Sequence, residues 1–99
     1  MKKIFNNLNE LESFFIKEKN FILTLMFHKI EETIDNGENE VYVLETFVKD
    51  VYLHMKLLYK KEDLGPALNQ MELYFAELED YEKCLKILEY KELLKRGVL

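Results

Sequence analysis

Val41-Tyr-Val-Leu-Glu-Thr-Phe-Val-Lys-Asp-Val-Tyr-Leu-His-Met-Lys-Leu-Leu58 is the stretch on which the fold turns. Within it Val41, Leu44, Val48, Val51, Met55 and Leu58 advance by steps of three and four residues. That is the spacing of a and d positions on one face of a helix. Phe47 and His54 lie beside the seam. The spacing predicts a helix over about 39–62, ending at Asp63-Leu64-Gly65-Pro66. Gly65 can close one helix there, and Pro66 suits the first turn of the next. On this reading Val48, Val51 and Met55 are core, and Met55→Ala costs about 2–5 kcal/mol.

Outward from this segment the period stays helical. Upstream, Leu8, Leu11, Phe15, Ile22 and Leu25 share a face that Phe14, Phe21, Met26 and Ile30 widen. Asn9 and Glu12 have capping-box spacing, and Asp35-Asn36-Gly37 tolerates the left-handed backbone that ends a helix. The expected helix covers about 8–35. Downstream, Leu68, Met71, Phe75 and Leu78 predict a helix over about 66–78. Tyr81, Cys84, Leu85 and Leu88 predict another over about 81–96, with Asp80 as its N-cap. Short connections make consecutive helices antiparallel neighbours. The expected fold is all-α: one helical domain over 1–99, an antiparallel bundle of four helices built as a long hairpin followed by a short one.

Composition narrows the function. The chain has 99 residues, with 14 Lys+Arg against 19 Asp+Glu and a net charge of −5. It is too apolar, at 48 %, for disorder. No run approaches the ~18 apolar residues that span a bilayer. Lys2 and Lys3 are followed by asparagine and glutamate where a signal peptide needs an apolar core. The expectation is a cytoplasmic protein, which a single cysteine, Cys84, fits. The only arginine is Arg96, and phosphate and base recognition depend on clustered Lys and Arg. No nucleic-acid or membrane partner is expected.

The chemistry-bearing residues give no active site. His28 and Glu32, and Asp50 and His54, have the i,i+4 spacing of metal ligands on helices. In a hairpin turning near Gly37 the two histidines sit ~12 Å apart along the axis at 1.5 Å per residue, too far for one ion. Ser13 has no activating context. Cys84 lies mid-helix on an apolar face, away from any helix N-terminus that would stabilise a thiolate. Gly37, Gly65 and Gly97 are isolated, so no phosphate-binding loop exists. No catalytic residue, cofactor or metal is expected, and the chain reads as a non-enzyme.

Seven Phe and six Tyr are many for a small core. Tyr42, Tyr52, Tyr59 and Tyr90 fall off the helical stripes, and tyrosine is enriched at interfaces. Phe21-Ile-Leu-Thr-Leu-Met-Phe27 is apolar nearly all round, so one neighbouring helix cannot cover it. Glu77, Glu79, Asp80 and Glu82 crowd one helix junction and suit a basic partner. The expected function is a non-enzymatic protein–protein interaction module: an adaptor, a chaperone, or an inhibitor such as an immunity or phage-encoded modulator protein. It binds through an apolar and aromatic helical face with an acidic rim. The expected contact residues are Phe21, Phe27, Tyr42, Tyr52, Tyr59, Glu77, Glu79, Asp80 and Glu82. The alternative is a structural subunit that forms homodimers, and a distant third is a metal-binding bundle.

Ala76-Glu-Leu-Glu-Asp-Tyr-Glu-Lys-Cys-Leu-Lys-Ile-Leu88 resembles the junction of two known helical hairpins. One is the UVR motif, found in nucleotide-excision repair subunits and in regulators of the Clp protease; the other is a single tetratricopeptide repeat. In both, an acidic–aromatic pair like Asp80-Tyr81 opens the second helix, and a small residue like Cys84 follows three positions on. Leu85 and Leu88-Glu89 depart from the UVR pattern, which has a second small residue and an Arg-Asp pair there. The resemblance covers about 30 residues and implies a protein-binding hairpin.

Overall fold

The computed structural model describes residues 1–97. In chain order it contains β1 (Lys2–Phe5), α1 (Leu8–Lys17), α2 (Lys19–Asn36), β2 (Glu40–Val48) and β3 (Leu53–Lys60). A single 3-10 turn (Lys61–Asp63) then leads into α3 (Leu64–Glu77) and α4 (Tyr81–Lys95). The all-α helical bundle is thereby overturned. The protein is α+β, with a three-stranded mixed sheet in the order β1-β2-β3. The helix expected over 39–62 is an antiparallel hairpin, and the four helices come from the other segments.

The physical reason is a β-bulge. On β2 the residues facing the helices are Val41 and Val43, then Leu44, Thr46 and Val48, all buried. The pairing with β3 shifts between Tyr42 and Leu44, leaving Val43 as the extra residue. A bulge inserts one residue and changes which parity faces inward. The inward set therefore includes 41, 44 and 48, with the same three-then-four spacing as a helix seam. The seam's continuation through Val51, Met55 and Leu58 crosses a turn and has no common face. Met55 is 41 % exposed, Leu58 42 % and Val51 50 %. Met55→Ala should accordingly cost less than about 1 kcal/mol, the range of substitutions away from the core. A denaturant-unfolding loss of 2 kcal/mol or more would restore Met55 to the core.

β1 pairs in parallel with β2, Lys2 opposite Glu45 and Phe5 opposite Val48. Parallel neighbours need a long crossover, and α1 and α2 supply it. The helix expected over 8–35 is divided at Glu18, whose backbone leaves the helical region. The hydrogen-bond ladder continues through the break. Glu18 N–H donates to the Phe14 carbonyl at 2.9 Å, and its own carbonyl accepts from Ile22 N–H at 2.9 Å. The kink lets α1 cover β1, where Phe5, Leu11 and Val48 form a small cluster against Phe14 and Phe15. The cap of α1 is Asn7 rather than Asn9: its side chain accepts from Glu10 N–H at 3.0 Å, and Glu10 accepts from Asn6 N–H at 2.8 Å. Gly37 ends α2 at φ 67, where a side chain would strain the backbone.

α2 meets β2 on one side and the α3–α4 hairpin on another. This arrangement accommodates its apolar run: Ile22, Met26, Phe27 and Ile30 are buried with Val41, Val43 and Leu44 from β2 and with Leu68, Met71, Phe75, Ile87 and Tyr90 from α3 and α4. α3 starts at Leu64, before the expected 66, with Pro66 in its first turn. Asp80 caps α4 by accepting from Lys83 N–H at 3.4 Å.

Candidate interaction surface

The helices cover one face of the sheet only. On the other face lie Ile4 from β1, Tyr42, Glu45 and Phe47 from β2, and His54, Lys56 and Leu58 from β3, a placement that follows from the register and from strand alternation. Ile4 is 66 % exposed. At the centre of this face Glu45 gathers its neighbours. His54 Nε2 stands 2.7 Å from Glu45 Oε1, Lys2 and Lys56 each lie 3.9 Å from the carboxylate, and Tyr42 Oη donates to Glu45 Oε2 at 3.4 Å. One carboxylate thus faces Lys2, Lys56 and His54, so the cluster leaves cationic charge on the open face.

The His54 hydrogen bond, with the charges of His54, Lys2 and Lys56, holds the Glu45 carboxyl below the ordinary carboxylate value. A carboxyl whose pKa is lower folded than unfolded stabilises the fold above its unfolded value and loses that contribution as pH falls through the folded one. Stability should fall on acidification below about pH 4.5. In Glu45→Gln the decline should be shallower, leaving the part due to Asp80, which is lowered in the same direction by Lys83. Denaturant midpoints taken across that range test this, and superimposable acid limbs for the two proteins would show that the cluster contributes nothing.

The turn joining β2 to β3 is the four residues Lys49–Tyr52. Tyr52 ends it at φ 51, in the left-handed region, and is 84 % exposed. Its ring centre lies 6.4 Å from that of Phe47. Val51 beside it and Leu53, Met55 and Leu58 on β3 are exposed too. Apolar side chains therefore run along the tip and the free edge of the hairpin.

The expected contact residues disperse. Tyr42, Tyr52 and Tyr59 all belong to the hairpin: Tyr42 on the open face, Tyr52 at the tip, and Tyr59 on the face toward the helices, half-buried against the core. Phe21 is partly exposed near Phe14. Phe27 is 4 % exposed, in core contact with Phe75 and Tyr90. An aromatic helical face built on Phe21 and Phe27 together is thus not present. Glu77, Glu79, Asp80 and Glu82 sit around the α3–α4 turn, where Asp80 is engaged by the Lys83 ammonium at 2.6 Å. The Glu45–His54 pair was not among the expected residues. Its partners are nine positions apart and meet only across a hairpin.

Other sites have less to offer. The axial separation of His28 and His54 loses its basis, because His54 is on a strand; His28 lies beside Glu31 on α2 instead. Among the described residues no group of three or more His, Cys, Asp or Glu is placed to hold a metal ion. Cys84 donates to the Glu72 carbonyl at 3.7 Å, and burial, with Glu72 and Asp80 nearby, pushes its thiol pKa up, so the nucleophilic thiolate is disfavoured. A partly enclosed depression of about 230 Å³ lies between the end of α2, the start of β2 and the start of α3, below the ~300 Å³ at which small-molecule pockets begin; larger hollows of about 370–630 Å³ are shallow and open to solvent. No helix among the described residues is long and apolar enough to cross a membrane. Comparison with protein families, with curated proteins and with solved structures finds no match to this chain.

Proposed function

We propose that the chain is a non-enzymatic, cytoplasmic protein-binding module that works through the β2–β3 hairpin. The observation that carries this is Tyr52. A bulky residue at positive φ costs about 1–2 kcal/mol relative to glycine, and strain of this kind gathers at functional positions. Among the described residues two other than glycine stand at positive φ, Tyr52 and Glu79 at the α3–α4 turn, and of these Tyr52 is also the most exposed aromatic of its strand pair, beside Val51 and Phe47. Exposed tyrosine with apolar neighbours is the composition of an interface core, and the Glu45 cluster beside it suits a polar rim. The UVR-like and tetratricopeptide-like resemblance of Ala76–Leu88 supports the same class, as an adaptor, chaperone or inhibitor.

The test separates folding from binding at one residue. Tyr52→Gly should leave stability unchanged or raise it by up to about 1 kcal/mol, and should weaken a complex reconstituted from purified chain and purified partner by tenfold or more. Equal affinity of the two proteins for every partner recovered with the native chain would overturn the reading. The alternative, self-association, is read from the mass in solution at two concentrations.

A further inference from the structure

We propose that β3 takes up an extended segment of a partner protein as a fourth strand, and that this segment alternates acidic with apolar side chains. The inference rests on the hairpin being the partner-binding surface and names what lies along its edge.

β3 is the last strand in the sheet order, so one of its sides has no neighbour. Half of the N–H and C=O groups of Leu53–Lys60 point away from β2. Such an edge is a template for another strand unless something blunts it. β3 has no proline or glycine, and the bulge residue belongs to β2; of the devices that blunt an edge it carries lysine alone, at Lys56 and Lys60. Alternation then sets the partner's pattern. His54, Lys56, Leu58 and Lys60 lie on the open face; Leu53, Met55, Leu57 and Tyr59 lie on the face toward the helices. β3 itself carries Lys56 and Lys60, both on the open face, and no acidic residue, within a protein of net charge −5. A fourth strand would set one row of side chains beside these cations and the other beside exposed Leu53 and Met55. Acid on the first row and apolar groups on the second complement both.

The same charge argues against a second copy. Joining β3 to β3 places two sets of these lysines on one sheet face, and like charges across strands destabilise pairing. The lysines thus act as a filter, repelling copies of the chain while admitting an acidic strand.

The probe is a capped peptide, Glu-Val-Glu-Thr-Glu-Val-Glu-Thr, with a counterpart bearing Lys for Glu and two versions N-methylated at alternate residues, one in each phase. Amide exchange and chemical shifts of β3 are followed by NMR. The acidic peptide should protect amides within Leu53–Lys60 and bind at least about tenfold tighter than the lysine peptide at low salt, the gap narrowing at high salt. One N-methylated phase should lose binding, because it removes the donors that face β3. Lys56→Glu with Lys60→Glu should reverse the preference between the two peptides; should that variant not fold, the methylated peptides still decide. Equal binding of acidic and lysine peptides, or binding that survives both methylations, would overturn the proposal. So would β3 protection that rises with protein concentration without peptide, the mark of a second copy. If Tyr52→Gly weakens a reconstituted complex while the acidic peptide leaves β3 unprotected, strand addition fails and the hairpin surface stands. If Tyr52→Gly changes no complex while the acidic peptide protects β3, the tip reading fails and strand addition stands.

Discussion

Phe75→Ala should lower the unfolding free energy by about 3–5 kcal/mol, the cost of truncating a fully buried aromatic. Phe75 is 1 % exposed and stands where three helices meet. Its ring centre is 6.1 Å from Phe27 on α2, with the rings edge to face, and 5.3 Å from its neighbour Tyr74. The Lys83 ammonium from α4 lies 5.6 Å from the ring centre. Tyr74 is itself held to α2, its hydroxyl donating to Asn20 at 3.0 Å. Walls anchored on separate elements cannot all move inward, so most of the vacated space remains as cavity. Small domains total only about 5–15 kcal/mol, so this one truncation removes a large share of the fold's stability. A loss under 1 kcal/mol, at an unchanged denaturant slope, would mean the three helices do not meet there.

Thr46→Val should act in the opposite direction and stabilise the protein by about 1–2 kcal/mol. Thr46 is buried at the centre of β2, and its hydroxyl has no hydrogen-bond partner among the described residues. A buried polar group without a partner costs about 1–3 kcal/mol. Valine has nearly the same shape and keeps the β-branch that suits a strand. Thr46→Ala is the control: it removes the hydroxyl and a methyl group together, so the gain should be cancelled by lost packing. A Thr46→Val protein that unfolds at lower denaturant than the native chain would show that the hydroxyl is satisfied in solution.

The helices were legible because their ends are written locally. Gly37 after Asn36 and Asp80 before Tyr81 act within one turn of where they stand, and the sites they mark match α2 and α4. The break at Glu18 was not legible, since no glycine or proline stands near it to mark it. The hairpin was lost to one inserted residue. With Val43 left out of the ladder yet still facing the core, the inward positions switch parity and imitate a helix over two turns. Local composition held the opposing signal: Val41, Val43, Thr46 and Val48 are β-branched, Tyr42 and Phe47 stand between them, and Lys49-Asp50 interrupts the apolar pattern. Tyr42, Tyr52, Tyr59 and Tyr90 fit no helical stripe. For the first three the cause is their place in a hairpin, whereas Tyr90 lies on α4, buried beside Phe27. Glu45 and His54 could be paired only after that hairpin was known.

The parallel pairing of β1 with β2 has a consequence for synthesis. Phe5 sits opposite Val48, so β1 is made about 43 residues before the end of the strand that receives it. At ~5–20 residues per second that interval is roughly 2–9 s, whereas a hairpin closes in ~1–10 μs. Throughout it Phe5 has no sheet to enter, and α1, whose packing depends on the same cluster, has no seat. On the ribosome β1 is made before the strand it pairs with and must wait for it, and a chaperone that reads exposed aromatics would meet Phe5 in that window.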